Sequence, residues 1–242
     1  MPYEKRLYRE YSSTEGLVSF TVNVKETDLF ITSSKHLKDV ALQSAFTARK
    51  HIESYIAMHP EFLDSLIPMP LDEDADSIVQ KMLEAASASG VGPMAAVAGA
   101  VGDYVGTELL QYAGEVIVEN GGDLFLKINR NITVAVFAGQ SPLSEKIGLR
   151  VMPSSTPFSL CTSSGRVGPS LSFGTSDAVT IKSSSAPLAD AAATAIGNII
   201  HDESDIPKGI ETARKIKGVE GVLIVKDKDI GVWGDMELMA LR

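Results

Sequence analysis

Residues 17–25, LVSFTVNVK, alternate apolar and polar positions as a strand with one buried face does, and Asp28 to Thr32 can pair back on it across a short Glu26-Thr27 turn. The chain therefore opens on a predicted hairpin. From His36 to Met58 the period changes: Leu37, Val40, Ala41, Ala45, Ala48, Ile52 and Ile56 recur at helical spacing until His59-Pro60 stops the run. The stretch LIPMPLDEDADS, with two prolines and four acids, predicts a surface loop, and Asp76 to Ala86 a short helix after it. Pro93 suits the first turn of a helix reaching about Tyr112. On that helix Ala98, Gly102 and Gly106 fall at i, i+4 and i+8, a small-residue stripe that lets another backbone approach closely.

Strands are predicted next at 115–119, 123–128, 132–138, 145–151, 157–162 and 177–183, with helices at 187–201 and 207–217 and final strands at 220–226 and 230–233. Runs of strands interrupted by pairs of helices indicate an α+β fold rather than strict β-α alternation. The hairpin-plus-helices pattern occurs twice, so we expect a single domain over 1–242 made of two intertwined α+β halves, about 1–110 and 111–242.

Composition narrows the function classes. A chain of 242 residues with 44% hydrophobic content can bury a sizeable core. A net charge of −9 without a long basic run disfavours nucleic acid and acidic membranes as partners. Cys161 is the only cysteine, so no intramolecular disulfide forms and a reducing cytoplasm is expected. The charged start, MPYEKRLYREYSSTEG, lacks a signal-peptide core, and the uncharged segment from Ala85 is mostly Ala and Gly, fitting a buried packed segment better than a membrane span.

Four stretches hold candidate chemistry. Gly90-Val91-Gly92-Pro93-Met94-Ala95 matches a dinucleotide-binding glycine string, but a helical pattern precedes it where a strand is required. What survives is a glycine turn opening a helix: either close packing, or free N–H groups that meet an anion. In VIVENGGDLFLKI, Asn120-Gly121-Gly122-Asp123 reads as a hairpin turn, although Glu119, Asn120 and Asp123 crowd one corner where carboxylates repel unless a cation or donor intervenes. Cys161-Thr162-Ser163-Ser164-Gly165 puts three hydroxyls and a glycine at a strand end, either a plain polar turn or a loop that wraps a phosphate. A nucleophilic Cys161 would need a histidine base, and His36, His51, His59 and His201 all fall in or beside predicted helices. In Ala186-Pro187-Leu188-Ala189-Asp190-Ala191-Ala192-Ala193-Thr194, Asp190 and Thr194 lie one helical turn apart. They are oxygen donors suited to Mg²⁺, or a helix-dipole Asp and a Thr bonded back to a carbonyl.

Together and in order, these stretches resemble the ApbE superfamily, whose best-known members are flavin transferases that use FAD and Mg²⁺ to attach FMN to a protein threonine. The counterparts of that family's motifs are Asn120-Gly121-Gly122-Asp123, Ser163-Ser164-Gly165 and Ala189-Asp190-Ala191-Ala192-Ala193-Thr194. The nearer likeness is to an uncharacterised, UPF-type cytoplasmic branch. Glu26-Thr27-Asp28-Leu29, Gly92-Pro93-Met94-Ala95-Ala96-Val97-Ala98-Gly99-Ala100, the stretch from Val118 to Phe125, Ala138-Gly139-Gln140-Ser141-Pro142-Leu143-Ser144 and Cys161-Thr162-Ser163-Ser164-Gly165 carry it.

The resemblance implies the ApbE-like, T-fold-type architecture of mixed or antiparallel sheets with packed helices. It also implies a groove lined by Gly92, Asn120, Gly121, Gly122, Asp123, Thr162, Ser163, Ser164 and Gly165, with Asp190 and Thr194 as the metal pair. FAD or FMN and Mg²⁺ are the implied cofactors. The chain departs from the transferases in lacking the lysine of the glycine-rich turn and the His-His-x-x-Asp-Pro segment after the Ser-Gly loop. Gly168-Pro169-Ser170 stands there, with Pro169 where the nearer branch carries histidine, so no base is assigned to a transfer step. Three readings stay open: a protein binding a flavin or nucleotide-like ligand with Mg²⁺; an enzyme or accessory protein of sulfur assimilation and homocysteine formation acting beside a protein partner; and a non-enzymatic scaffold. The glycine stripe permits a homodimer without requiring one.

Overall fold

The computed structural model describes residues 16–165 and 173–241. The opening alternation becomes β1 (Val18–Val24), which pairs with β2 (Thr27–Ser33) in register from Val18 opposite Ser33 to Val24 opposite Thr27. Phe20 and Val22 of β1 and Leu29 and Ile31 of β2 point to one face and are buried under helix α1 (Lys38–Met58). A four-residue helix, α2 (Glu61–Asp64), follows Pro60; it is too short to leave a periodic signal in the sequence.

Helix α3 (Ser77–Ser89) stops at Gly90, whose φ of +74° makes the left-handed cap that a residue without Cβ adopts cheaply. The single helix expected from Pro93 is two pieces, a 3₁₀ turn (Pro93–Ala96) and then α4 (Val97–Leu109), set at 107° to α3. Among the described residues no single helix is long and apolar enough to cross a membrane.

Strands β3 (Val116–Asn120), β4 (Asp123–Lys127), β5 (Ile132–Ala135), β6 (Ile147–Val151), β7 (Phe158–Ser163) and β8 (Ala178–Ser183) follow in the expected order. Helices α5 (Ala186–Gly197) and α6 (Ile206–Lys215) then precede β9 (Val219–Lys226), β10 (Asp229–Gly234) and β11 (Glu237–Ala240). The sequence pattern did not predict β11, a four-residue strand defined by its pairing with β6 nearly a hundred positions away. Eight strands form one sheet, β1-β2-β3-β4-β7-β8-β9-β10, and β11-β6-β5 form a second; every pairing is antiparallel.

The large sheet is the middle of three layers. Helices cover one face in two apolar clusters, α1, α3 and α4 over β1–β4, and α5 and α6 over β7–β9. The three-stranded sheet covers the other face through Leu126, Leu149, Leu160, Leu223 and Val225. The architecture is α+β.

Close approach along α4 differs in detail from the expected stripe. A Cβ at Gly99 would lie 2.4 Å from the Ala186 carbonyl oxygen and one at Gly106 2.2 Å from the Phe125 ring, whereas one at Gly102 would meet nothing within 4 Å. Two glycines therefore admit α5 and β4, and the third leaves buried space. Gly102→Ala should stabilise the chain by roughly 0.5–1 kcal/mol, because alanine removes the helix penalty of glycine and fills that gap. Gly99→Ala should destabilise it by about 1–3 kcal/mol through forced backbone movement. Chemical denaturation of the two variants checks the pair, and equal effects of one sign would contradict the packing.

Candidate functional site

Strand alternation sends Asn120, Asp123, Cys161 and Ser163 to the helix-covered face of the sheet, where α4 begins and α5 passes. Asn120 and Asp123 face each other across the two-residue Gly121-Gly122 turn, whose φ values of +69° and +108° fit the hairpin reading and the need for glycine. Glu119 steadies that turn by accepting the Gly122 N–H at 3.1 Å.

No side chain at the start of α4 caps it locally; Ala96 occupies the N-cap position and offers no acceptor. The missing acceptor comes from α5. The Gly99 N–H donates to Asp190 Oδ2 at 2.9 Å, and the Ala98 N–H also bonds this carboxyl, so Asp190 caps α4 from 91 positions away. The Asn120 amide adds a bond from Nδ2 to the Ala98 carbonyl oxygen at 3.0 Å. Asp123 accepts the Thr162 N–H at 3.1 Å and also bonds the carboxyl of Asp190 and the thiol of Cys161, while the Cys161 Sγ lies 3.6 Å from the Ala186 carbonyl oxygen. One polar cluster thus ties β3, β4, β7, α4 and α5 together inside an apolar surround.

Two carboxyls in contact, Asp123 buried and Asp190 half-buried, cannot both ionise cheaply. Burial, reinforced by the charge of Asp190, holds the Asp123 carboxyl well above the usual carboxylate range. Burial pushes Asp190 up to about 7, against the pull of the Gly99 N–H and the bonds to Asp123 and the Ala98 N–H. Burial and the two aspartates push the Cys161 thiol up as well, so it is held neutral and is a poor nucleophile.

The other expected residues divide. Thr194 follows Asp190 on the same stripe of α5, and Gly197 continues that stripe to a point where its Cβ position is 3.6 Å from Ser163 Oγ and 3.5 Å from Ser176 Oγ. Asn120, Asp123, Ser163, Asp190 and Thr194 therefore share one face. Thr162 contributes its N–H to Asp123, but its hydroxyl turns to the opposite face of the sheet and meets the Thr180 hydroxyl at 2.9 Å. Ser164 is half-buried at the end of β7. The Gly165 N–H bonds the Ser176 carbonyl oxygen, and a Cβ there would come 2.3 Å from the Gly174 carbonyl oxygen, a fit between loops. Gly92 is likewise pressed on a chain segment: a Cβ would lie 1.7 Å from the Ser65 carbonyl oxygen. Gly168, Pro169 and Ser170 lie outside the described residues. Sequence reasoning missed the roles of Ala98 and Gly99, because backbone N–H groups leave no mark in side-chain identity.

The family and fold of the chain follow from its likeness to known proteins. Residues 9–219 match the family model described as "AbpE bacteria". The chain belongs to that family. It is 36% identical over 225 residues to a UPF0280 protein of Methanococcus aeolicus, covering 90% of each chain, and 38% identical over 208 residues to a UPF0280 protein of Methanocella arvoryzae, covering 85% of this chain and 84% of that one. Its fold is shared with solved ApbE proteins. A mutant of the flavin transferase ApbE from Vibrio cholerae superposes with a TM-score of 0.58 at 12% identity, covering 90% of this chain and 97% of that one; the ApbE protein of Thermotoga maritima gives 0.57 at 14%, covering 89% and 96%. The protein is thus a UPF0280-type branch of the ApbE superfamily with the ApbE fold.

The raised carboxyls give this family member a pH signature. A carboxyl with a higher affinity for protons in the folded than in the unfolded chain contributes stability that is full below the unfolded value, near 3.8, and declines as pH rises toward the folded value of about 7. Asp190→Asn keeps an oxygen for the Gly99 N–H and mimics the protonated acid. Relative to wild type, its melting temperature should therefore improve steadily from about pH 4 to about pH 8. A gap independent of pH would show that Asp190 ionises normally.

Proposed function

We propose that this ApbE-family chain is a cytoplasmic protein that binds a flavin nucleotide or similar diphosphate ligand together with Mg²⁺, held at the cluster of Asp190, Thr194, Asp123 and Asn120. The observation that carries the reading is the contact of the Asp123 and Asp190 carboxyls at the N-terminus of α4. A like-charged pair beside oxygen donors is stabilised as a dianion only by a cation, and Mg²⁺ is satisfied by one or two carboxylates with water and phosphate completing its shell. The shared fold with flavin transferases supports the choice of flavin.

Each residue then has a task. Asp190 would hold the cation through the carboxylate it now lends to α4, with Thr194 adding a hydroxyl one turn later. Release of Asp190 would leave the Ala98 and Gly99 N–H groups facing the ligand, and a helix N-terminus accommodates phosphate oxygen. Asp123 would lose its proton as the cation arrives, and Asn120 would keep the start of α4 on β3. Bound Mg²⁺ would supply neutralisation of the diphosphate and polarisation of its bridging bond.

Isothermal titration and flavin fluorescence with FAD and FMN, with and without Mg²⁺, test the proposal. Saturable binding that needs Mg²⁺ and falls at least about tenfold in Asp190→Asn, a loss of about 1.4 kcal/mol, is expected. Binding unaffected by Mg²⁺ and by Asp190→Asn, or absent for both nucleotides, overturns it.

A further inference from the structure

The opposite face of β7 and β8 carries a second cleft. Alternation places Phe158 and Leu160 of β7 and Lys182 of β8 away from Asp123, Cys161 and Ser163, toward the three-stranded sheet, with Leu160 and Lys182 as cross-strand partners. Between the two sheets they border a cavity of about 330 Å³ whose apolar wall is Leu149, Val151, Phe158 and Leu160. That volume lies at the small end of the range of ligand pockets.

Its charged side chains form two ion pairs of unequal character, with a fifth, Glu220, exposed at the rim. Arg150 and Glu237 are direct cross-strand partners on β6 and β11, 3.1 Å apart, and both are about half exposed. Lys182 is held inside: its side chain is 19% exposed and its Nζ stands 5.2 Å from the centre of the Phe158 ring. Its counter-ion, Asp235, follows β10 and is 78% exposed. An acid that exposed is hydrated as readily as it is paired, so its ion pair contributes little. A cation that sheltered, resting on an aromatic face, attracts an anion more strongly than one in water.

We propose that this cleft binds a small anion with an apolar body, a carboxylate or a phosphate monoester. The anionic head replaces Asp235 on Lys182 and the body covers Phe158, Leu160 and Val151. Asp235 moves into water at little cost, and Lys182 gains a partner that also buries apolar surface. A bare inorganic anion gains only the first term, and a cation meets Lys182 as a like charge. The cleft and the Asp190 cluster lie on opposite faces of the sheet, so the proposal stands independently of flavin binding.

The full chain, ¹⁵N-labelled, is titrated with benzoate and phenyl phosphate, and with inorganic phosphate and benzylamine for comparison. Saturable amide shifts confined to the segments around Leu149–Phe158 and Lys182 are expected for the two aromatic anions, with at least about tenfold weaker response to the other two. Lys182→Met, which keeps the apolar stem over Phe158, should weaken benzoate binding at least about tenfold, and Asp235→Asn should strengthen it. Phenyl phosphate binding without benzoate binding narrows the ligand to phosphate monoesters. The proposal is overturned by absence of saturation for both anions, by shifts elsewhere in the chain, by benzylamine binding as tightly as benzoate, or by Asp235→Asn leaving or lowering the affinity. The last outcome decides the matter even if Lys182→Met fails to fold.

Discussion

The start of α4 has no acceptor of its own, and the carboxyl that supplies one comes from the middle of α5. A helix N-terminus buried without partners is costly, so this single long-range cap constrains much else. It requires Gly99, because a side chain there would collide with the Ala186 carbonyl, and it draws Asp190 down against Asp123. Asp123 in turn must accept from Thr162, and Asn120 must bond Ala98, for the sheet to stay in register with the helices. The Ala-rich character of α5 follows from the same geometry: a helix packed between α3, α4, β7 and β8 has room for small side chains at most positions, Ile196 being the large one that is fully buried.

The same contact gives the protein an internal tension. A carboxyl that caps a helix is most effective ionised, whereas a carboxyl touching another in an apolar surround is more stable with a proton between them. Within the fold the two carboxyls bond each other, and burial holds both above the ordinary carboxylate range. Asp190 links that pair to the start of α4 through the bond it accepts from the Gly99 N–H. Cys161, the one cysteine, belongs to this balance as a neutral thiol beneath Asp123 rather than as a reactive group.

Much of the fold was legible in the sequence. The alternation of Phe20 and Val22, the helical recurrence of Ala41, Ala45, Ala48 and Ile52, and the Gly121-Gly122 turn each follow from local rules that the tertiary structure had no reason to override. The short elements were not: α2 and β11 are four residues each, and β11 exists because β6 lies beside it. In the site, side chains with distinctive chemistry stood out, Asp123, Asp190 and Thr194 among them. Backbone groups at Ala98 and Gly99 did not, and neither did the opposite facing of Thr162 and Ser163, which strand alternation settles once β7 is positioned.

The sequence by itself determined element types, their order and the α+β class, because those depend on periodicity, turn chemistry and composition within a few residues. Family membership was equally legible, since its motifs are local strings. Only the tertiary structure decided that Gly92, Gly99 and Gly165 serve close chain packing, that Gly102 leaves space, and that Asp190 meets both Asp123 and the N-terminus of α4. It also decided that Lys182, an ordinary strand lysine in the sequence, is sheltered over Phe158 behind an exposed partner. The reason is one of range: burial, desolvation and charge pairing depend on what is near in space, and each of these contacts joins residues far apart in the chain.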